Sequence, residues 1–139
     1  MINLQLSRII TLTLLLLPGV AIGDGSKIPA PTYSNVCRHP ESGDLLGLEL
    51  SFIGGADRGY VLVQRYEGEV STPEVMKIEV RGDQLILLNG KTESIALLRE
   101  KSGMRATYLD GALSPAGSAN EKLAPSQAVW QGRQVGVCK

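Results

Sequence analysis

The side chains able to do chemistry are few, and their spacing restricts what they can do. His39 is the one histidine in 139 residues, so a Ser-His-Asp or Cys-His nucleophile would have to use it. It stands two residues from Cys37 and directly before Pro40, which reads as a surface loop position. Cys37 and Cys138 lack the short Cys-x-x-Cys spacing of redox pairs and zinc sites, and one histidine cannot complete the usual zinc sets. Asp44, Asp57, Asp83 and Asp110 each stand singly at turn signals, where the carboxylate is favoured because it bonds nearby backbone. No Asp-rich loop of the EF-hand type occurs. The glycines of 54–59 lack the P-loop lysine and the dinucleotide spacing. Paired carboxylates for glycoside hydrolysis need only spatial proximity, so an envelope enzyme of that kind stays open as an alternative. The expectation is a protein with no catalytic residue, no cofactor and no metal.

The two cysteines fit a different role. Arg8 followed by the apolar run Ile9–Leu17, the break at Pro18-Gly19 and the small-x-small Ala21-Ile22-Gly23 form a secretory signal, with cleavage expected after Gly23. The run is too short to span a bilayer, and polar Asp24-Gly25-Ser26-Lys27 follows at once, so no membrane insertion is expected after cleavage. In an exported chain an even pair of cysteines reads as a disulfide, Cys37–Cys138, and points to a periplasmic or secreted location. Lys plus Arg and Asp plus Glu number 14 each; removing Arg8 leaves 13 basic against 14 acidic, a net charge of −1. That balance gives nucleic acid no basic footprint.

The elements that must position any site are strands. In Val75–Leu88, Met76, Ile78 and Val80 alternate with Lys77, Glu79 and Arg81, which is the period of a half-buried strand. Gly82-Asp83 then turns the chain into Gln84–Leu88, making a hairpin. Asp44–Ile53 repeats the pattern, with Leu46, Leu48, Leu50 and Phe52 on one face. Tyr60–Tyr66 has two less distinct faces, as a strand does when it is covered on both sides or offers one side to a partner. Glu67–Glu74 is expected to be a connection. Glu93–Glu100 reads as a strand, with a single helical turn as the alternative, and Met104–Leu109 as a further strand, set off by Asn89-Gly90 and Lys101-Ser102-Gly103. Ala112–Ser126 reads as a long loop, with at most a turn of helix near Glu121–Leu123, and Gln127–Gln131 with Gln134–Cys138 as a last hairpin. Phe52 and Trp130 are expected in the core. The sum is an all-β domain over 35–139 after an extended lead-in at 24–34. About eight antiparallel strands would form a meander closed into a barrel, or else a two-sheet sandwich. The disulfide would staple the first and last segments where closure occurs.

One stretch carries a family likeness. Ser102-Gly103-x-Arg105, then Tyr108-x-Asp110-Gly111, then a C-terminal segment ending in Cys138, resembles the periplasmic inhibitors of c-type lysozyme. Members of that family are small exported β-barrels with a disulfide between the N-terminal region and the C-terminal strand. An S-G-x-x-Y-x-x-G stretch and a W-x-K-G stretch supply a Ser and a Lys that enter the lysozyme cleft. The resemblance implies Ser102 as the inhibitory serine, Tyr108 as its neighbouring aromatic, and Arg105 and Asp110 as partner-binding residues beside them. This chain departs by two extra residues before Tyr108, by the lack of W-x-K-G, and by Lys122 standing in a different context. The expected function is an exported binding protein without catalytic activity, such as an inhibitor of a cell-wall hydrolase. Its partner would be an envelope protein or a small ligand, the alternative function being a barrel carrier of a small apolar molecule.

Overall fold

The computed structural model describes residues 32–53, 59–111 and 119–139. The expected signal segment, residues 24–31 of the lead-in, the tip of the 54–59 turn and residues 112–118 of the expected loop lie outside the described residues. Nine strands follow in order: β1 (Thr32–Ser34), β2 (Cys37–Arg38), β3 (Leu45–Ile53), β4 (Tyr60–Val70), β5 (Glu74–Arg81), β6 (Gln84–Asn89), β7 (Thr92–Glu100), β8 (Gly103–Tyr108) and β9 (Asn120–Pro125). Every ladder between them is antiparallel. From β3 to β9 each strand pairs with the next, and β1 pairs with both β3 and β9, so eight strands form a closed ring. β2 is the extra strand, on the same edge of β3. The barrel therefore prevails over the sandwich.

Period-two alternation explains the packing. Leu48 and Leu50, Val61 and Val63, Met76 and Ile78, Leu85 and Leu87, Ile95 and Leu97, and Met104 and Ala106 all point inward and share one core with Tyr33 and Leu123. Phe52 packs on this core with its ring edge-on to Tyr33, centroids 6.1 Å apart. On the outer face of the β5–β6 hairpin, Arg81 pairs with Glu79 on its own strand and with Glu93 on β7, reaching across β6. Ile86 faces outward between those strands yet is only 4% exposed. The arginine stem and its partners roof an apolar side chain that would otherwise face water.

The extended lead-in enters the barrel itself: at its described end Thr32–Ser34 is the strand that closes the ring. Three expectations are corrected. The connection after Tyr66 begins later, because β4 continues along β3 through Gly68. Asn120–Pro125 is strand β9, not loop or helix, and the expected last hairpin is absent. Instead Val129–Gln131 forms one 3₁₀ turn, and the chain then runs on to a lone bridge between Val137 and Arg38. The hairpin fails because this segment lies across the outside of the barrel and directs its bonds there.

The bend between β1 and β2 depends on one glycine. Asn35 Oδ1 accepts the Leu48 N–H at 2.7 Å, and Asn35 N–H bonds the Leu48 carbonyl. This brings Asn35 and Val36 so close to Gly47 that a Cβ there would stand 2.6 Å from Asn35 Oδ1 and 3.0 Å from Val36 Cα. Gly47 also has φ +125°, which other residues rarely adopt.

Candidate functional site

Ser102 stands in the tight turn between β7 and β8 and is exposed. The next residue explains its placement. β8 and β9 approach so closely that a Cβ on Gly103 would meet the Leu123 carbonyl oxygen at 2.0 Å. The glycine lets β9 lie against the turn, and this brings Lys122 to the same recess as Ser102, with Glu100, Met104 and Ala124 around it. A second recess of about 180 Å³ adjoins it and shares Ser102 and Gly103, with Tyr33, Arg99, Lys101 and Pro125 on its other walls. Arg99, Lys101, Arg105 and Lys122 thus gather near Ser102 with Glu100 as the one acid lining the recesses. Glu100 is already engaged, accepting from Arg105 Nε at 2.7 Å.

Tyr108 lies at the other end of β8, roughly 20 Å along the strand from Ser102 at the usual rise. It faces inward with Met104 and Ala106 and packs against the core. There it joins a polar chain across the barrel mouth. Arg65, inward on β4 in step with Val61 and Val63, donates from Nη2 to the Tyr108 hydroxyl, and its Cζ lies 4.8 Å from the ring centroid. The Tyr108 O–H donates to Glu121 Oε1 at 2.8 Å, and Asn35 Nδ2 donates to Glu121 Oε2 at 2.7 Å. Arg65 Nη1 stands 3.4 Å from Glu121 Oε1. Burial pushes the Tyr108 hydroxyl well above its ordinary value, and the Glu121 carboxylate adds to that. Burial alone would pull the Arg65 guanidinium down, but Tyr108 and Glu121 outweigh it and leave it raised. The arrangement ties the turn after β1 to β4, β8 and β9, with the Arg65 and Glu121 charges matched.

The four residues singled out by the family likeness therefore do not form one cluster. Ser102 and Arg105 belong to the basic end, Arg105 on the outer face. Tyr108 belongs to the polar chain at the opposite mouth, and Asp110 follows just beyond it, its backbone N–H bonded to Ser94. Lys122 joins Ser102 instead. Sequence reasoning missed the roles of Arg65 and Glu121. The signal lay in their parity: each sits two residues from an inward apolar side chain, Val63 and Leu123.

The outer wall of β1, β3 and β4 has two halves. Over one half the C-terminal segment 126–139 lies as a strap. Glu49, 1% exposed, accepts the Val129 N–H at 3.0 Å, and Arg133 Nη2 stands 3.7 Å from the same carboxylate. Arg133 also donates to Ser34 Oγ at 2.9 Å, while its Nε is buried without a partner. Burial raises the Glu49 carboxyl, opposed by the Val129 N–H, Arg133 and Ser34. Gln64 and Tyr66 on β4 are buried beneath the strap. The far end is fastened by the Cys37–Cys138 disulfide and by paired bonds between Arg38 and the strap at Gly136 and Cys138. Beyond the strap the wall is open: Ile53, Tyr60 and Val75 are exposed, with Leu62 half-buried between them. The two less distinct faces of β4 are thus explained by a strand covered on both sides at one end only.

Trp130 is not in the core but 63% exposed. Ala128, fully buried, takes the seat against the barrel, and the Val129 amide binds Glu49. With three residues per turn, the next side chain is rotated away from that wall. Among the described residues no set of His, Cys, Asp or Glu converges in a metal-binding group, and no helix is long and apolar enough to cross a membrane. No family model, no curated protein and no solved structure matches the chain.

Proposed function

We propose that this protein is an exported binding protein that occupies the cleft of a cell-wall hydrolase, acting from the periplasm or outside the cell after removal of an N-terminal signal peptide. The observation that carries this reading is the pairing of Ser102 with Lys122 in one exposed recess at the end of the barrel. The two are twenty positions apart in sequence and meet because Gly103 admits β9 to the turn. Glycoside hydrolases of the wall carry a pair of carboxylates at the scissile bond. A rigid turn bearing a hydroxyl and a primary amine, with Arg99, Lys101 and Arg105 around it, offers such a cleft hydrogen bonds and opposite charge. A Ser and a Lys are also what the resembling lysozyme inhibitors insert, although here the lysine comes from β9. The disulfide fits an oxidising, exported environment.

The test is inhibition of a c-type lysozyme by the purified protein. Ser102→Ala and Lys122→Ala should each weaken inhibition about tenfold, the loss expected for a contact at the centre of an interface. Both side chains are exposed, so thermal unfolding should be unchanged in either variant. Undiminished hydrolase activity in a large excess of the protein would remove the hydrolase assignment.

A further inference from the structure

A separate recess of about 150 Å³ opens through the barrel wall beside the Arg65 chain. It exists because β4 and β5 part early. β4 pairs with β3 over nine residues but with β5 over four, from Tyr60↔Lys77 to Val63↔Glu74. Past that point Ser71 folds back on β4, its hydroxyl donating to the Arg65 carbonyl at 2.6 Å and accepting the Arg65 N–H. The edge of β4 is thereby satisfied without closing the gap. Core side chains Val63, Met76 and Ile95 form the floor, the last contributed by β7, two strands beyond β5. The rim holds Arg65, Ser71, Thr72 and Glu74.

The charges of the rim are unequally matched. Arg65 is committed to Tyr108 and Glu121. Glu74 shares the inward parity of Met76, and Asn89 Nδ2 donates to its Oε2 at 3.1 Å, but no cation pairs with it among the described residues. An apolar floor with one unneutralised carboxylate and two hydroxyls at its edge suits a molecule with an apolar body and a positive head. The recess volume of about 150 Å³ is that of a site able to take a group as large as a benzene ring.

We propose that this recess in the barrel wall binds a small organic amine, its apolar group on Val63, Met76 and Ile95 and its ammonium on Glu74 with Ser71 and Thr72. The site lies apart from the Ser102–Lys122 end and does not depend on that assignment.

The experiment is a titration followed by NMR of the Met76 and Ile95 methyl groups in the full protein. The probes are benzylamine, benzyl alcohol and benzoate. Benzylamine should shift both methyls saturably at millimolar concentration and bind about fivefold more tightly than the alcohol or the acid, the scale of one partly exposed ion pair. Glu74→Gln should bring the amine down to the alcohol. Thr72→Trp, at an exposed position, should fill the opening and abolish all three responses while leaving the spectrum of the barrel intact. No saturable shift with any probe would overturn the site. Benzoate binding as tightly as benzylamine, or a Glu74→Gln variant that keeps the preference for the amine, would overturn the assignment of the head group.

Discussion

Tyr66 shows what the strap does to a single residue. Its ring lies on the outer face of β4, yet it is 3% exposed because the C-terminal segment covers it. Burial, with Glu49 nearby, pushes its hydroxyl up to about 12, against the opposing effect of Arg133. In the unfolded chain a tyrosine ionises near 10. The folded form therefore holds its proton more tightly, and the stability this represents is complete below pH 10 and lost as pH rises from there toward 12. The loss is on the order of 2–3 kcal/mol. Urea midpoints measured across pH 9–12 should fall in that window for the native protein, and Tyr66→Phe should lose less over the same range. Equal slopes would mean that the hydroxyl is not held neutral. Gly103 makes the complementary case for a residue chosen for what it lacks. Gly103→Ala should force β8 and β9 apart at Leu123, costing about 2–4 kcal/mol in thermal or urea unfolding. If the protein still folds, it should also inhibit lysozyme less, because Ser102 and Lys122 are no longer held together.

Among the elements, β9 depends most on partners outside itself. Of its inward positions only Leu123 is a buried apolar residue, while Glu121 is a carboxylate. Glu121 is tolerable there because Asn35, Arg65 and Tyr108 arrive from β4, β8 and the turn after β1. Glu121→Ala should leave the largely buried Arg65 guanidinium with only Tyr108 and the exposed Glu67 at 3.8 Å, an effect on the order of 2–3 kcal/mol in urea unfolding. Glu121→Gln keeps an acceptor for Tyr108 and should cost clearly less. Equal losses would show that volume, not charge matching, holds the strand. The same dependence explains which elements were legible in the sequence. β3, β5, β6, β7 and β8 each carry two successive inward positions filled by aliphatic or methionine side chains, so the period is visible without a partner. β9 breaks the period at Glu121, and Pro125 at its end looks like a stop. β1 is three residues long, too short to show a period. The strap carries Trp130 and Val137 as exposed residues, so its apolar content suggested a core hairpin that does not exist. At the candidate site, the Ser-Gly turn is the signal that singles out Ser102 and Arg105. Lys122 has no such signal around it, and only the β8–β9 register shows where it lies.

At the scale of the whole molecule, barrel closure and the disulfide are separate devices. The sequence suggested a staple at the closing seam, but the seam is β1, bonded to β3 on one side and β9 on the other. The disulfide lies outside the ring, joining the extra strand β2 to the end of the strap. It spans 101 residues of sequence, and chain-entropy reasoning assigns a cross-link of that length about 4–5 kcal/mol. That stabilisation acts on the unfolded chain, whereas the local loss on reduction falls on the strap, which has few anchors besides Ala128, Glu49 and Arg133. The reduced protein, or a Cys37→Ser/Cys138→Ser variant, should therefore unfold at lower urea while remaining a barrel under native conditions. Hydrogen exchange should separate the two contributions. Amides of Arg38 and Cys138, which bond the Gly136 and Arg38 carbonyls, should lose protection, with Gln64 and Tyr66 becoming accessible beneath the strap, while the β5–β6 and β7–β8 ladders stay protected. Reduction that opened those ladders together with the strap would place the disulfide in the barrel seam after all. Non-reducing mass spectrometry checks the premise, since the oxidised chain must weigh two hydrogens less than its reduced form.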